Sequence, residues 1–193
     1  SFELFQAGQK RLVLLTEDSK SAQLRALLAA NGLAEVEYFV QPLHGVDNLT
    51  AAIPVADFFT RQGANTYVLI HRDGDGMLPA ERNWWLEHEA TKLPERSFVF
   101  LTPFTDVEHS FCQPSHISAV YAIPLDQAQA IVDQATVTRQ GKLIVEFSNK
   151  RNALKYGPLK KMGEIPSAQD LIGAGIQFEQ AKEIGRASCR VRV

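Results

Sequence analysis

Carboxylates gather where three β-compatible runs of this sequence end. Thr16-Glu17-Asp18 closes the first run, His71-Arg72-Asp73-Gly74-Asp75-Gly76 closes the third, and Asp106-Val107-Glu108 follows the fourth. In an open parallel sheet, ligands bind outside the carboxyl ends of the strands, so acids at those ends carry more information than acids elsewhere. Several carboxylates brought within a few ångströms of one another repel strongly, which calls for a compensating cation or a raised pKa. Oxygen-only donors favour hard ions such as Mg²⁺ or Mn²⁺. Gly74 and Gly76 let the chain curl after the third run, so that Asp73 and Asp75 can converge on one point.

Each of these features also has an ordinary reading. An Asp-x-Asp in a glycine-rich loop is often a solvated turn, Glu17-Asp18 can cap the next helix, and Asp106-Val107-Glu108 can open one. Their joint occurrence at three strand ends is what favours a metal site. Arg72 is a candidate phosphate contact, and His71 reads as a buried strand end. Cys112 has no metal-ligand spacing with His109 or His116 and reads as a core thiol. Trp84 and Trp85 read as packing residues.

The elements that must position these acids alternate in type. Arg11–Thr16, Glu35–Val40, Thr66–His71 and Ser97–Thr102 are short and β-compatible. The first is apolar on both faces, as central strands of parallel sheets are. Between them, a helix capped by Asp18 or Ser19 carries Leu24, Leu27 and Leu28 and ends at Asn31-Gly32. A turn at Gly45–Asn48 leads into a second helix with Leu49, Ile53, Ala56 and Phe59 on one face, closing near Gly63. Pro79 suits the first turn of a third helix bearing Trp84, Trp85 and Leu93, which Pro94 terminates. Beyond the fourth run the pattern predicts one helix from Asp126 to about Val137 and another from Lys142 to about Tyr156, separated at Gln140-Gly141. The fold expected is α/β: an open, mainly parallel, Rossmann-like four-stranded sheet with flanking helices, followed by a helical appendage.

Composition removes several function classes. The chain has 193 residues, with 20 Lys+Arg against 22 Asp+Glu and a net charge of -2. It is 45% hydrophobic and 22% charged, as in an ordinary globular domain. Its apolar runs, such as Leu12–Leu15 and Phe98–Leu101, fall far short of the ~20 residues that span a bilayer, so no membrane association is expected. Cys112 and Cys189 cannot build a disulfide framework, which makes a cytoplasmic setting the expectation.

Both ends of the chain shape the expectations too. The sequence starts at Ser1 and passes almost at once into a strand, which predicts a missing upstream region. Residues 183–193 resemble the in-frame translation of a sequencing adapter and are expected to be non-native. Setting them aside removes three Arg and one Glu, leaving 17 basic against 21 acidic residues and a net charge of -4.

A family resemblance follows from these residues together. The strand ending in Glu17, the Gly45-x-x-Asn48 turn, His71-Arg72-Asp73-x-Asp75 and Asp106-Val107-Glu108-x-x-Phe111 resemble a TOPRIM domain. More narrowly, they resemble the TOPRIM half of the OLD-family (overcoming lysogenization defect) ATP-dependent endonucleases. The resemblance covers about residues 10–120. It implies a TOPRIM-like catalytic domain over 1–120 and a helical extension over 121–182, ahead of the non-native tail over 183–193. It also implies that Glu17, Asp73 and Asp75 are primary metal ligands, that Asp106 and Glu108 complete a second site, and that Lys150 or Lys155 serves as a catalytic or DNA-contacting lysine. Arg72 would contact nucleic acid.

The implied reaction is two-metal hydrolysis of DNA phosphodiesters with Mg²⁺ or Mn²⁺, one ion activating water and the other neutralising the leaving oxygen. Tyr38, Tyr67, Tyr121 and Tyr156 lack a nucleophile context, which favours hydrolysis over a topoisomerase-like tyrosine attack. The partners implied are DNA, an upstream ABC-type ATPase and a homo-oligomer, and antiphage defence is a common role of such nucleases. No Gly-x-x-x-x-Gly-Lys-Ser/Thr loop occurs in the sequence. An acidic chain also supplies little duplex affinity alone.

Two other readings stay open. A response-regulator receiver has an acidic pair after strand one, a phospho-accepting Asp after strand three and Thr or Ser after strand four, and Glu17-Asp18, Asp73 and Thr102 follow that order. It asks for a fifth strand ending in lysine, for which Leu143–Phe147 before Lys150 is the candidate. The third reading is an inert fragment whose acids are solvated.

Overall fold

A computed structural model describes residues 10–17, 21–43, 49–103 and 106–173. Four strands form one sheet: β1 (Leu12–Thr16), β2 (Tyr38–Pro42), β3 (Tyr67–Arg72) and β4 (Ser97–Leu101), in the order β2-β1-β3-β4. Every pairing is parallel. Leu12 of β1 lies opposite Tyr38 and Tyr67, and Val68 of β3 lies opposite Ser97. All four strands therefore end on the same edge, with Thr16 beside Pro42 and His71, and Arg72 beside Leu101.

The chain divides into two compact units, one comprising Ser1–Arg72 and Arg82–Leu101, the other Asp73–Glu81 and Thr102–Val193. The first holds the sheet with α1 (Ala22–Ala30), α2 (Leu49–Gln62) and most of α3 (Pro79–Ala90). Val13, Leu14 and Leu15 are buried, as a central strand requires. Ala52, Ala56 and Phe59 present the buried stripe of α2. At the end of α1, Gly32 (φ 81°) takes the left-handed conformation expected of Asn31-Gly32. Its N–H donates to Ala29 and that of Leu33 to Leu28, a Schellman closure. The expected caps Asp18 and Ser19, and the turn at Gly45–Asn48, lie outside the described residues.

β2 begins later than the sequence suggests. Residues Ala34–Glu37 form a turn in which the Glu37 N–H donates to the Ala34 carbonyl while its carboxylate accepts from the Ala34 N–H, so pairing starts at Tyr38. α3 likewise stops at Ala90.

The second unit contains α4 (Glu108–Phe111), α5 (Pro114–Tyr121), α6 (Leu125–Tyr156) and α7 (Ala168–Gly173). The expected break at Gln140-Gly141 is absent: α6 runs unbroken for 32 residues. Glycine inside a helix costs about 1 kcal/mol relative to alanine. A buried stripe through Ala128, Val132, Thr136, Leu143, Phe147, Arg151 and Leu154 keeps one phase on both sides of Gly141 and outweighs that cost. Phe147 packs with Ala168, Leu171, Leu78 and Ile172, while Ile117, Ala128 and Val132 form a separate cluster with Ile123. No helix among the described residues is long and apolar enough to cross a membrane.

Candidate functional site

The turn after β3 is built to aim a carboxylate. The Met77 N–H donates to the Gly74 carbonyl at 2.8 Å, closing a β-turn with Asp75 (φ 49°) and Gly76 (φ 79°) at its centre. Positive φ at both central positions is what a type I′ turn requires, and Asp-Gly is a favoured pair for it. The Gly74 N–H donates to Thr102 Oγ1 at 2.7 Å, which ties this turn to the residue after β4. Sequence reading anticipated the curl but not the tie.

Lys150 of α6 meets this turn. Its Nζ lies 2.9 Å from Asp75 Oδ1, with the two side chains 32% and 25% exposed. Desolvation acts to lower the Lys150 pKa, but the charge and hydrogen bond of Asp75, together with the charges of Asp106 and Asp73, outweigh it and raise it above the usual lysine value. Part of the positive charge that the clustered acids call for is thus supplied by the chain itself. A lysine held in this state stays an ammonium, able to neutralise or hold an anionic oxygen but unable to take a proton from water.

The other anticipated residues fall in different places. Asp106 Oδ1 accepts the backbone N–H of His109 at 3.0 Å, so it caps the start of α4 as well as contributing charge near Lys150. Glu108 is the first residue of α4; its side chain lies outside the described residues. Glu17 is half-buried directly after β1, in the first unit, whereas Asp73, Asp75, Asp106 and Lys150 all belong to the second. Lys155 is exposed, with its ammonium 6.0 Å from the ring of Tyr156. Of the two candidate lysines, Lys150 is the one the fold brings to the acids.

Arg72 is buried, with its guanidinium 5.4 Å from the Trp85 ring centre. The Trp85 face thus supports a cation as well as packing. His71 is buried too, and its Nδ1 lies 3.0 Å from Thr16 Oγ1. Desolvation lowers its pKa to about 4, so the ring is neutral at physiological pH. Cys112 is half-buried, more open than a core thiol.

Two residues that the sequence reading missed stand beside the acids: Glu81 at the start of α3 and Arg151 next to Lys150. The signal was available, because Arg151 falls in phase with Leu143, Phe147 and Leu154 on the buried stripe of α6. A guanidinium there needs a buried acidic partner.

The acids have the chemistry of a hard-cation site, but among the described residues no three His, Cys, Asp or Glu side chains are grouped so as to hold an ion. As arranged, Asp75 pairs with Lys150, and among the described residues the acids do not form a metal cage. No family model, curated protein or solved structure matches this chain.

Proposed function

We propose that the second unit carries the phosphodiester-cleaving centre of a divalent-metal-dependent DNA endonuclease of the TOPRIM type, and that the chain is the nuclease part of a larger ATPase-nuclease. The observation that supports this most is the Lys150–Asp75 contact, with Asp73 and Asp106 acting on the same ammonium. Acids following two different strands thereby share one lysine, the residue type such nucleases pair with their carboxylates. Lys150 is suited to hold a non-bridging phosphate oxygen or to offset charge that builds on it during cleavage. Asp73, Asp75 and Asp106 are suited to attract cations into the same place. The requirement for Mg²⁺ or Mn²⁺ rests on the resemblance and on the oxygen-only donors, and so it is what the experiment must test first.

Calorimetric titration of Mg²⁺ and Mn²⁺ into the full chain, followed by nicking of supercoiled plasmid, provides that test. The expected result is binding and nicking that both disappear in an Asp73→Ala/Asp75→Ala double variant. Absence of cation binding by the folded chain would overturn the proposal and leave the acids as surface charges.

One observation keeps the receiver reading in play: Thr102 and Lys150 both reach the Asp73–Gly76 segment. Against it, Leu143–Phe147 lies within α6, so Lys150 does not follow a fifth strand. Cation binding without nicking, joined by binding of a beryllofluoride phosphoryl analogue, would favour it.

A further inference from the structure

One residue beyond Lys150, Arg151 is enclosed by the same part of the molecule. Its side chain is 1% exposed and that of its partner Glu81 is 3% exposed. The guanidinium meets the carboxylate as a fork, Nη1 to Oε2 at 2.6 Å and Nη2 to Oε1 at 2.8 Å. Nη2 also donates to the Pro166 carbonyl at 2.6 Å, and Nη1 to that of Gly76 at 3.4 Å. Glu81 Oε2 in turn accepts the Leu78 N–H at 2.8 Å, as a third-position glutamate does at a helix start. Arg151 therefore joins α6, the first turn of α3, the segment before α7 and the Asp75-Gly76 turn.

Lys150 and Arg151 are consecutive on one helix, and they grip consecutive residues of one turn: Lys150 at the Asp75 carboxylate, Arg151 at the Gly76 carbonyl. A slip of α6 by one residue moves its groups by about 1.5 Å along the axis, enough to break a contact of the Lys150 kind. Buried ion pairs are often no more stabilising than apolar residues of similar size, so the benefit to look for in this one is geometric. We propose that Arg151 and Glu81 are positioning residues that fix α6 against the Asp75-Gly76 turn and so set the reach of Lys150. The effect on cleavage rests on the nuclease reading; the effect on Lys150 itself does not.

The experiment compares the full-length wild type with Arg151→Lys and Glu81→Gln, two variants that keep polar groups at the pair. Acylation of lysines by an N-hydroxysuccinimide ester is followed by peptide mass spectrometry, with Lys142, 62% exposed on the same helix, as internal reference. Lys150 is expected to react about tenfold faster, relative to Lys142, in either folded variant, the factor corresponding to loss of one charge-assisted hydrogen bond. Unchanged relative reactivity in a folded variant would overturn the proposal.

Nicking supplies a second readout. Arg151→Lys is expected to lower kcat about tenfold at unchanged KM in the Lys150 background, yet to add nothing in a Lys150→Met background. Additive losses would mean that Arg151 acts only on the fold. A wild type that never nicks would sink the nuclease reading while the acylation arm still decides the positioning role.

Discussion

Positive charge meets an aromatic ring and carbonyls inside one unit of the chain and a fully buried carboxylate in the other. In the sheet unit, Arg72 lies over the Trp85 ring, Arg82 donates to the Leu101 carbonyl at 3.3 Å, and Arg96 donates to the carbonyls of Thr60, Gly63 and Ala64. Its Arg11–Glu37 and Arg61–Asp57 pairs lie at the surface. In the helical unit the cations meet carboxylates, Arg151 with Glu81 in the interior and Lys150 with Asp75 at its margin. The helical unit encloses a complete ion pair, and the candidate site lies in that unit.

Removing one partner from each kind of contact should separate them. Arg151→Met leaves Glu81 buried without its cation and is expected to cost about 3–5 kcal/mol in denaturant unfolding. Arg72→Met removes the cation–π contact with Trp85, worth about 0.5–2 kcal/mol, keeps the apolar stem over the ring, and is expected to cost less. Equal losses would break the comparison.

Lys150→Met tests the half-exposed pair for activity. Loss of a group that offsets transition-state charge is expected to lower the nicking rate about 100- to 1000-fold. Its stability should fall by no more than about 1 kcal/mol, since the pair is solvent-screened. A large unfolding effect with little change in rate would make Lys150 a structural residue.

The sheet unit carries its own proton-linked term. His71 titrates at about 4 in the folded chain against about 6.5 unfolded, so between those values the unfolded state binds more protons and stability falls as pH falls. The loss should approach about 3 kcal/mol from pH 7 to pH 4, because each pKa unit is worth about 1.4 kcal/mol. Unfolding free energies measured across that range for wild type and His71→Gln would check it. A slope that survives the substitution would assign the effect to other groups.

The same contrast explains what could be read in advance. The four strands were legible because short β-compatible runs such as Leu12–Leu15, bounded by turn residues, are too brief for a helix and suit a parallel sheet. Asp75-Gly76 announced a turn because few other pairs accept two positive φ values. The residues themselves showed only a set of acids at strand ends; Lys150 entered through the family resemblance, beside Lys155, because it stands on a helix far along the chain. Arg151 and Glu81 stand 70 residues apart, and nothing local ties one to the other. Asp106 shows the opposite problem: one carboxylate both caps a helix and feels Lys150, and composition alone cannot apportion the two roles.

Gly141 is where local preference and tertiary packing pulled apart most clearly, and it gives the smallest of the expected effects. The sequence reads Gln140-Gly141 as a break, whereas α6 passes through it because Leu143 and Phe147 continue the buried stripe begun by Val132 and Thr136. A Cβ added at Gly141 meets nothing within 4 Å, and its φ is not left-handed. Gly141→Ala should therefore relieve backbone entropy without a clash and stabilise the chain by about 1 kcal/mol. Chemical denaturation of the two proteins would measure it. A destabilising alanine would mean that the chain turns at residue 141, as its local sequence suggests, and that the two halves of α6 do not share one axis.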